Sequence, residues 1–205
     1  MNVPELVNIE QVADGWIKKY VLTYVLPNGL THTYDVASRK NIDDYRAELA
    51  ANAAGETPKS ADAVSIVGRT PDDSIVLIRE FRFPLNSWCI AFPAGLVEPG
   101  EDLAACADRE MREETGYAVR PGTAVTPMAQ AGYSSTGLTD ETVQIVFAEV
   151  ERIGEAQPEP TELIEVFELP IADAAQFLAE NTTPIGTRCQ LMLEAFAREY
   201  AAQAR

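Results

Sequence analysis

Cationic side chains are scarce in this chain: sixteen Lys+Arg stand against thirty-two Asp+Glu, a formal charge of -16 over 205 residues. A basic stripe that tracks DNA or RNA is thereby disfavoured, because nucleic-acid affinity comes largely from neutralising phosphates. Anionic membrane surfaces are disfavoured as partners on the same ground. Cysteine is nearly absent too. Cys89, Cys106 and Cys189 are scattered without C-x-x-C spacing, so neither a disulfide framework nor a zinc site is supported, and each reads as a small buried hydrophobe. The one histidine, His32, lies in the alternating run LTHTYDV and reads as a solvent-facing strand residue. A Ser-His or Cys-His nucleophile would have to run through it, which argues against that chemistry. No apolar run approaches the roughly twenty residues of a membrane span, and MNVPELVNIEQ lacks the basic start and apolar stretch of a signal peptide. A soluble, cytoplasmic protein is expected.

What is present suits one compact domain with a smaller appendage, since 46% of the residues are hydrophobic. Residues 15–26 (GWIKKYVLTYVL) and 30–36 (LTHTYDV) read as two strands around the turn Pro27-Asn28-Gly29. The Ala-rich segment 47–60, broken by Gly55 and Pro58, reads as a linker. Strands are expected at 61–69 and 74–82 around Thr70-Pro71-Asp72-Asp73, and at 124–131, 142–150 and 162–168. Helices are expected at 102–115, capped by Gly116, after Pro170 and Asp173, and at 187–203. The fold class is therefore α/β, layered as in α+β proteins: a mixed sheet sandwiched by helices over 59–205, preceded by a small antiparallel β appendage over 1–58.

The densest charge lies at 108–114, DREMREE. At about 100° per residue Glu110, Glu113 and Glu114 share one stripe of a helix, near a C-terminus that is already partly negative. A solvated face tempered by Arg109 and Arg112 is one reading. The other is a hard-cation site, Mg²⁺ or Mn²⁺, because oxygen ligands suit those ions better than zinc.

The stretch GLVEPGEDLAACADREMREETGY, residues 95–117, resembles the Nudix box, G-x5-E-x7-R-E-U-x-E-E-x-G-U with U apolar. Gly95, Glu101, Arg109, Glu110, Glu113, Glu114 and Gly116 fill the fixed positions, with Met111 and Tyr117 in the apolar slots. Such a match arises by chance on the order of once in a million. The resemblance implies a loop-helix-loop that holds two to three divalent ions against a diphosphate, so that water displaces one phosphate. Gly95 and Gly116 would supply backbone freedom. Glu110, Glu113 and Glu114 would hold metal, and Arg109 either clamps a carboxylate such as Glu101 or meets substrate.

Around the box, REFRFP (79–84), FPAG (92–95), STGLTDE (135–141) and ELIEVFELP (162–170) are similar in kind and order to the ADP-ribose pyrophosphatase branch. That likeness implies the Ala94 carbonyl as a further metal ligand, a late-loop glutamate as base, Glu162 first and Glu159 second, and an N-terminal β segment exchanged in a homodimer. Arg82, Glu80 and Arg69 are substrate candidates by their forks and carboxylate, and Trp16 is either a stacking platform for adenine or a strand aromatic. The branch's S-P-G turn has Thr136 where its proline would be, while Tyr133 fits dinucleoside polyphosphate hydrolases. The expected activity is hydrolysis of ADP-ribose or a related nucleoside diphosphate sugar to a nucleoside monophosphate and a sugar phosphate. Dinucleoside polyphosphate hydrolysis and a non-catalytic nucleotide sensor are the alternatives.

Overall fold

Period-two alternation in the first forty residues builds three strands where two were expected. In the computed structural model, which describes residues 3–56 and 60–203, β1 (Glu5–Ala13), β2 (Lys18–Val25) and β3 (Thr31–Ser38) form an antiparallel sheet in that order. Strand β1 escapes a sequence reading because ELVNIEQVA does not alternate strictly: Leu6 and Ile9 pack on the core of the first unit, yet they are three residues apart, with a register shift between Leu6 and Asn8. Trp16 falls in the turn between β1 and β2, not in a strand. The Pro27-Asn28-Gly29 turn closes as expected, with the Gly29 N–H donating to the Leu26 carbonyl at 2.8 Å and Gly29 at φ 82.

The first half of the expected linker is instead helical, the end of α1 (Ile42–Ala53). Asn41 caps it: the side-chain oxygen accepts from the N–H groups of Asp43 at 3.0 Å and Asp44 at 2.9 Å. Asp43 and Asp44 also place negative charge in the first turn, where the helix dipole favours it. Tyr45 then buries itself on Tyr20, Leu22 and Val36, side chains from one face of the three-stranded sheet, and its ring lies 4.8 Å from that of Tyr20. The expected boundary at 58 and 59, with Pro58, lies outside the described residues.

Contacts divide the chain into two units, Met1–Asp62 with Ala131–Val143, and Ala63–Gln130 with Gln144–Arg205. Segment 131–143 joins the first unit because it bonds to β3: the Ala37 N–H donates to the Leu138 carbonyl at 2.9 Å and the Tyr34 hydroxyl to the Gly137 carbonyl at 2.8 Å. Lys40 completes the joint. Its ammonium stands 3.0 Å from each of Glu48, Asp62 and Asp140. Burial disfavours that charge, but the three carboxylates outweigh burial and raise the Lys40 pKa.

The second unit follows the expected layering. Its elements are β4 (Ala63–Arg69), β5 (Ser74–Arg82), β6 (Ser87–Ala91), β7 (Ala94–Leu96), α2 (Leu103–Glu110), β8 (Tyr117–Val119) and β9 (Thr126–Pro127). After β10 (Gly132–Tyr133) in the first unit come β11 (Thr142–Arg152), β12 (Ile164–Pro170), α3 (Ala174–Glu180) and α4 (Thr187–Gln203). The sheet runs β11-β4-β5-β12, with β6 on β5, β7 on β4, and β8 and β9 on β11. The expected strand 124–131 shrinks to two residues, and β6 to β8 were not anticipated, because their pairing is set across the sheet and not by local alternation.

Alternating residues supply two cores. Val64, Ile66, Val76, Val146 and Val150 pack on Cys106, Ala107 and Met111 from the α2 side. Val67, Ile75, Leu77 and Phe92 pack on Ala174, Cys189 and Leu193 from α3 and α4. The mixed sheet between helices is thus realised. All three cysteines are free and buried. Among the described residues no helix is long and apolar enough to cross a membrane.

Candidate active site

The box helix is not α-helical to its end. After Glu110 the chain widens into a π-helical turn, Met111–Thr115, closed by Gly116 at φ 75. Such turns recur at functional positions. The stripe expected from 100° spacing is not uniformly exposed: Glu113 is exposed whereas Glu114, about 100° away on the helix surface, is 4% exposed.

Each carboxylate is held by the chain. Strand β7 pairs with β4, Ala94 opposite Ser65 and Gly95 opposite Val64, which carries the loop to the helix. There the Ala94 N–H donates to Glu114 Oε2 at 3.0 Å. Gly95 passes so close to Glu110 that a Cβ would lie 1.8 Å from its Oε1, so only glycine leaves that carboxylate its place. Arg109 spans the arrangement. It grips both oxygens of Glu101 at 2.9 Å, donates to the Leu96 carbonyl at 3.1 Å, and reaches Glu110 at 2.7 Å and Glu113 at 3.3 Å.

Electrostatics separate these acids. The Arg109 guanidinium holds the Glu101 carboxyl down at about 2, against an opposing effect of burial. Glu114 is pushed up to about 8, first by burial and then by Glu110, Glu80 and Glu162, with the Ala94 amide opposing. Burial also raises Glu110 and Glu80, and the Glu162 charge adds to both. Glu114 thus feels Glu80, Glu110 and Glu162, and Glu162 acts on Glu80 and Glu110 as well. Glu80 Oε2 stands 2.7 Å from the Arg82 guanidinium, yet it has no hydrogen-bond partner among the described residues, because the guanidinium is out of line with it. Glu162 Oε2 accepts from the Glu159 N–H at 2.9 Å.

One candidate of the second unit is drawn away from these carboxylates. Arg69 pairs with Asp73 in the β4–β5 turn, Nε to Oδ1 2.6 Å, and lines a cleft with Phe196 and Tyr200 of α4. Trp16 belongs to the first unit and is 73% exposed. Glu159 is exposed and does not figure among the charges acting on Glu80, Glu110 or Glu114. The sequence reading missed residues 153–157, which bond to the end of the box helix through backbone groups; no side-chain pattern announces such contacts.

Do these residues fit divalent cations? Among the described residues no three His, Cys, Asp or Glu side chains stand together as a ready cation cage, since Arg109 draws Glu101, Glu110 and Glu113 to itself. The donor chemistry fits nonetheless: a buried carboxylate held by one amide, a Glu80 oxygen that meets Arg82 without a hydrogen bond, and a glycine cradle around Glu110.

The Glu101–Arg109 pair has a testable pH signature. Glu101→Gln should lower stability by about 1–3 kcal/mol near neutrality. Because the folded pKa of Glu101 is depressed, the deficit is full above the ordinary carboxylate value of about 4.3 and closes as pH falls through about 2. Urea titrations of both proteins across that range measure it; a deficit that persists unchanged at the acid end contradicts the pairing.

Residues 59–187 match the NUDIX domain family. An ADP-sugar pyrophosphatase of Mus musculus is 33% identical over 178 residues, covering 80% of this chain and 72% of that protein. An ADP-ribose pyrophosphatase of Bacillus subtilis is 34% identical over 125 residues, covering 60% of this chain and 65% of that protein. A solved structure described as an ADP compounds hydrolase superposes with a TM-score of 0.73 over 100% of this chain and 97% of that one, at 22% identity, a likeness of fold. With the box folded as described, the chain belongs to the Nudix hydrolase family.

Proposed function

We propose that this chain hydrolyses the diphosphate linkage of ADP-ribose or a related nucleoside diphosphate sugar to a nucleoside monophosphate and a sugar phosphate. The observation that carries the reading is the folded box itself: Glu114 held by the Ala94 amide, Glu110 in the Gly95 cradle, and Arg109 clamping Glu101 and Glu110. The names of the mouse and Bacillus relatives support the substrate class. Tyr133, the residue that pointed to dinucleoside polyphosphates, instead bonds to Asn52 in the first unit at 3.2 Å.

Glu110, Glu113, Glu114 and the Ala94 carbonyl would hold two to three Mg²⁺ or Mn²⁺ ions. Bound there, such ions neutralise phosphoryl charge and acidify water. The Ala94 amide aims Glu114, and Arg109 holds Glu110 while its grip on Glu101 keeps loop and helix together. Arg82 offers its fork to a phosphate. Glu162 takes a proton from the attacking water; the water oxygen bonds to one phosphorus, the bridging P–O bond breaks, and its electron pair leaves with the second phosphate. Product analysis over a panel of ADP-ribose, other nucleoside diphosphate sugars and dinucleoside polyphosphates, with and without Mg²⁺, tests the assignment.

Glu114→Gln should lower kcat by at least about 10²-fold while keeping the fold. The metal-free protein should gain thermal stability near neutrality, since burial pushes the Glu114 carboxyl up to about 8 and folding must then protonate a group that is ionised in the unfolded chain. Near-normal turnover at saturating Mg²⁺ would refute the assignment.

For the base, Glu162→Gln should depress kcat by about 10²-fold or more with KM little changed, and Glu159→Gln should do little. The reverse ranking in steady-state kinetics would move the base to Glu159.

We also propose a homodimer in which residues 1–55 complete the partner's nucleotide site. Val7 and Val12 of β1, and Val3, Trp16, Ile17 and Leu30 just outside the strands, expose apolar surface on the first unit, which invites a partner. Sedimentation should give a dimer at micromolar concentration, and Trp16→Ala should raise KM. An active monomer contradicts both.

A further inference from the structure

The segment that leads from β11 to Glu162 has little hydrophobic floor. Residues 151–155 are exposed, and beside them lies a cavity of about 370 Å³ lined by Thr115, Tyr117, Glu155, Ala156, Phe167 and Glu168. What fixes the segment is the end of the box helix. The N–H groups of Ile153 and Gly154 both donate to the Gly116 carbonyl, at 2.9 and 3.2 Å, and the Gln157 N–H donates to the Glu113 carbonyl at 2.8 Å. Carbonyls at a helix end lack partners within the helix, so these bonds satisfy both sides.

Gly116 makes the approach feasible. A Cβ there would lie 2.5 Å from the Gly154 carbonyl oxygen, 2.9 Å from the Glu155 carbonyl carbon and 3.0 Å from the Ala156 nitrogen. All three are backbone atoms, which cannot swing aside as a side chain can. At its other end the segment is tied to β5, the Phe81 N–H donating to the Leu163 carbonyl at 3.0 Å and Ile164 pairing with Glu80. Glu162 therefore hangs between two ties, one to the helix that carries Glu110 and Glu114 and one to the strand that carries Glu80.

We infer that the Glu113 and Gly116 carbonyls, at the end of the box helix, position the Glu162 carboxylate, with Gly116 and the Gln157 amide as positioning groups. This rests on the role proposed above for Glu162. It adds that the carboxylate helix and the base are set by one stretch of backbone, so a displacement of either is felt by the other.

The test is a double-mutant cycle in the full-length protein. Gly116→Ala and Gln157→Pro, which removes the amide donor, should each lower kcat by about 10²-fold, with KM and the Mg²⁺ concentration for half-maximal rate within about threefold of wild type. Adding Glu162→Gln to either should cost little more, since the base is already misplaced. Amide exchange followed by NMR supplies a readout without turnover: Ile153, Gly154 and Gln157 should be protected in the wild type and lose protection together in Gly116→Ala. If Glu162→Gln alone leaves kcat unchanged, the proposed catalytic role fails. If Glu162→Gln lowers kcat but the positioning variants do not, or their effects add in full, this inference is overturned. Should Gly116→Ala fail to fold, Gln157→Pro carries the cycle. Unprotected wild-type amides at the three positions overturn the inference whatever the variants do.

Discussion

The Arg109 guanidinium is the interaction on which the site depends. A planar fork with five donors can serve several oxygens at once, and here it holds Glu101 with two bonds, the Leu96 carbonyl with a third, and Glu110 and Glu113 beyond. Val97 and Leu103 pack the Gly- and Pro-rich loop against the core that includes Cys106, Ala107 and Met111 of the box helix. The ion pair adds a polar tie to that packing. It also tempers the like charges of the helix, which in isolation would repel one another near a negative helix end.

Burial of negative charge is the opposing constraint. Glu114 lies at 4% exposure with a single amide donor from Ala94, and Glu80 keeps an oxygen without a hydrogen bond. Desolvation of such groups is costly unless a cation or proton compensates. Chains do not keep several half-compensated carboxylates in one field for stability, so the arrangement makes sense as a site poised for cations and phosphates. The first unit solves the same problem differently. Around Lys40, three carboxylates share an ammonium from the chain itself, and the result is a structural joint.

Much of this was legible in the residues. The seven box positions carry their spacing in the sequence, and the apolar runs at 74–82 and 142–150 announce buried strands, because a strand covered on both faces needs hydrophobic residues throughout. The 187–203 helix and the Gly116 cap were equally plain. Helix α1 was misjudged because its Ala-rich sequence has little amphipathic pattern; the Asn41 cap and one buried side chain, Tyr45, decide it.

Other features had no sequence signal. That Arg69 serves the β4–β5 turn and not the carboxylates follows from where β4 ends, and that Tyr133 meets Asn52 follows from the return of segment 131–143 to the first unit. The division of Glu113 from Glu114 depends on which of them the rest of the fold covers, and the seating of the late loop depends on backbone carbonyls that every residue possesses. The sequence alone determined which side chains are available, the family and the chemistry their oxygens favour, because those properties are local to residue type and spacing. Only the tertiary structure decided which carboxylate is buried, which is clamped and which glutamate shares the field of the others, because burial and through-space charge depend on neighbours brought from distant parts of the chain.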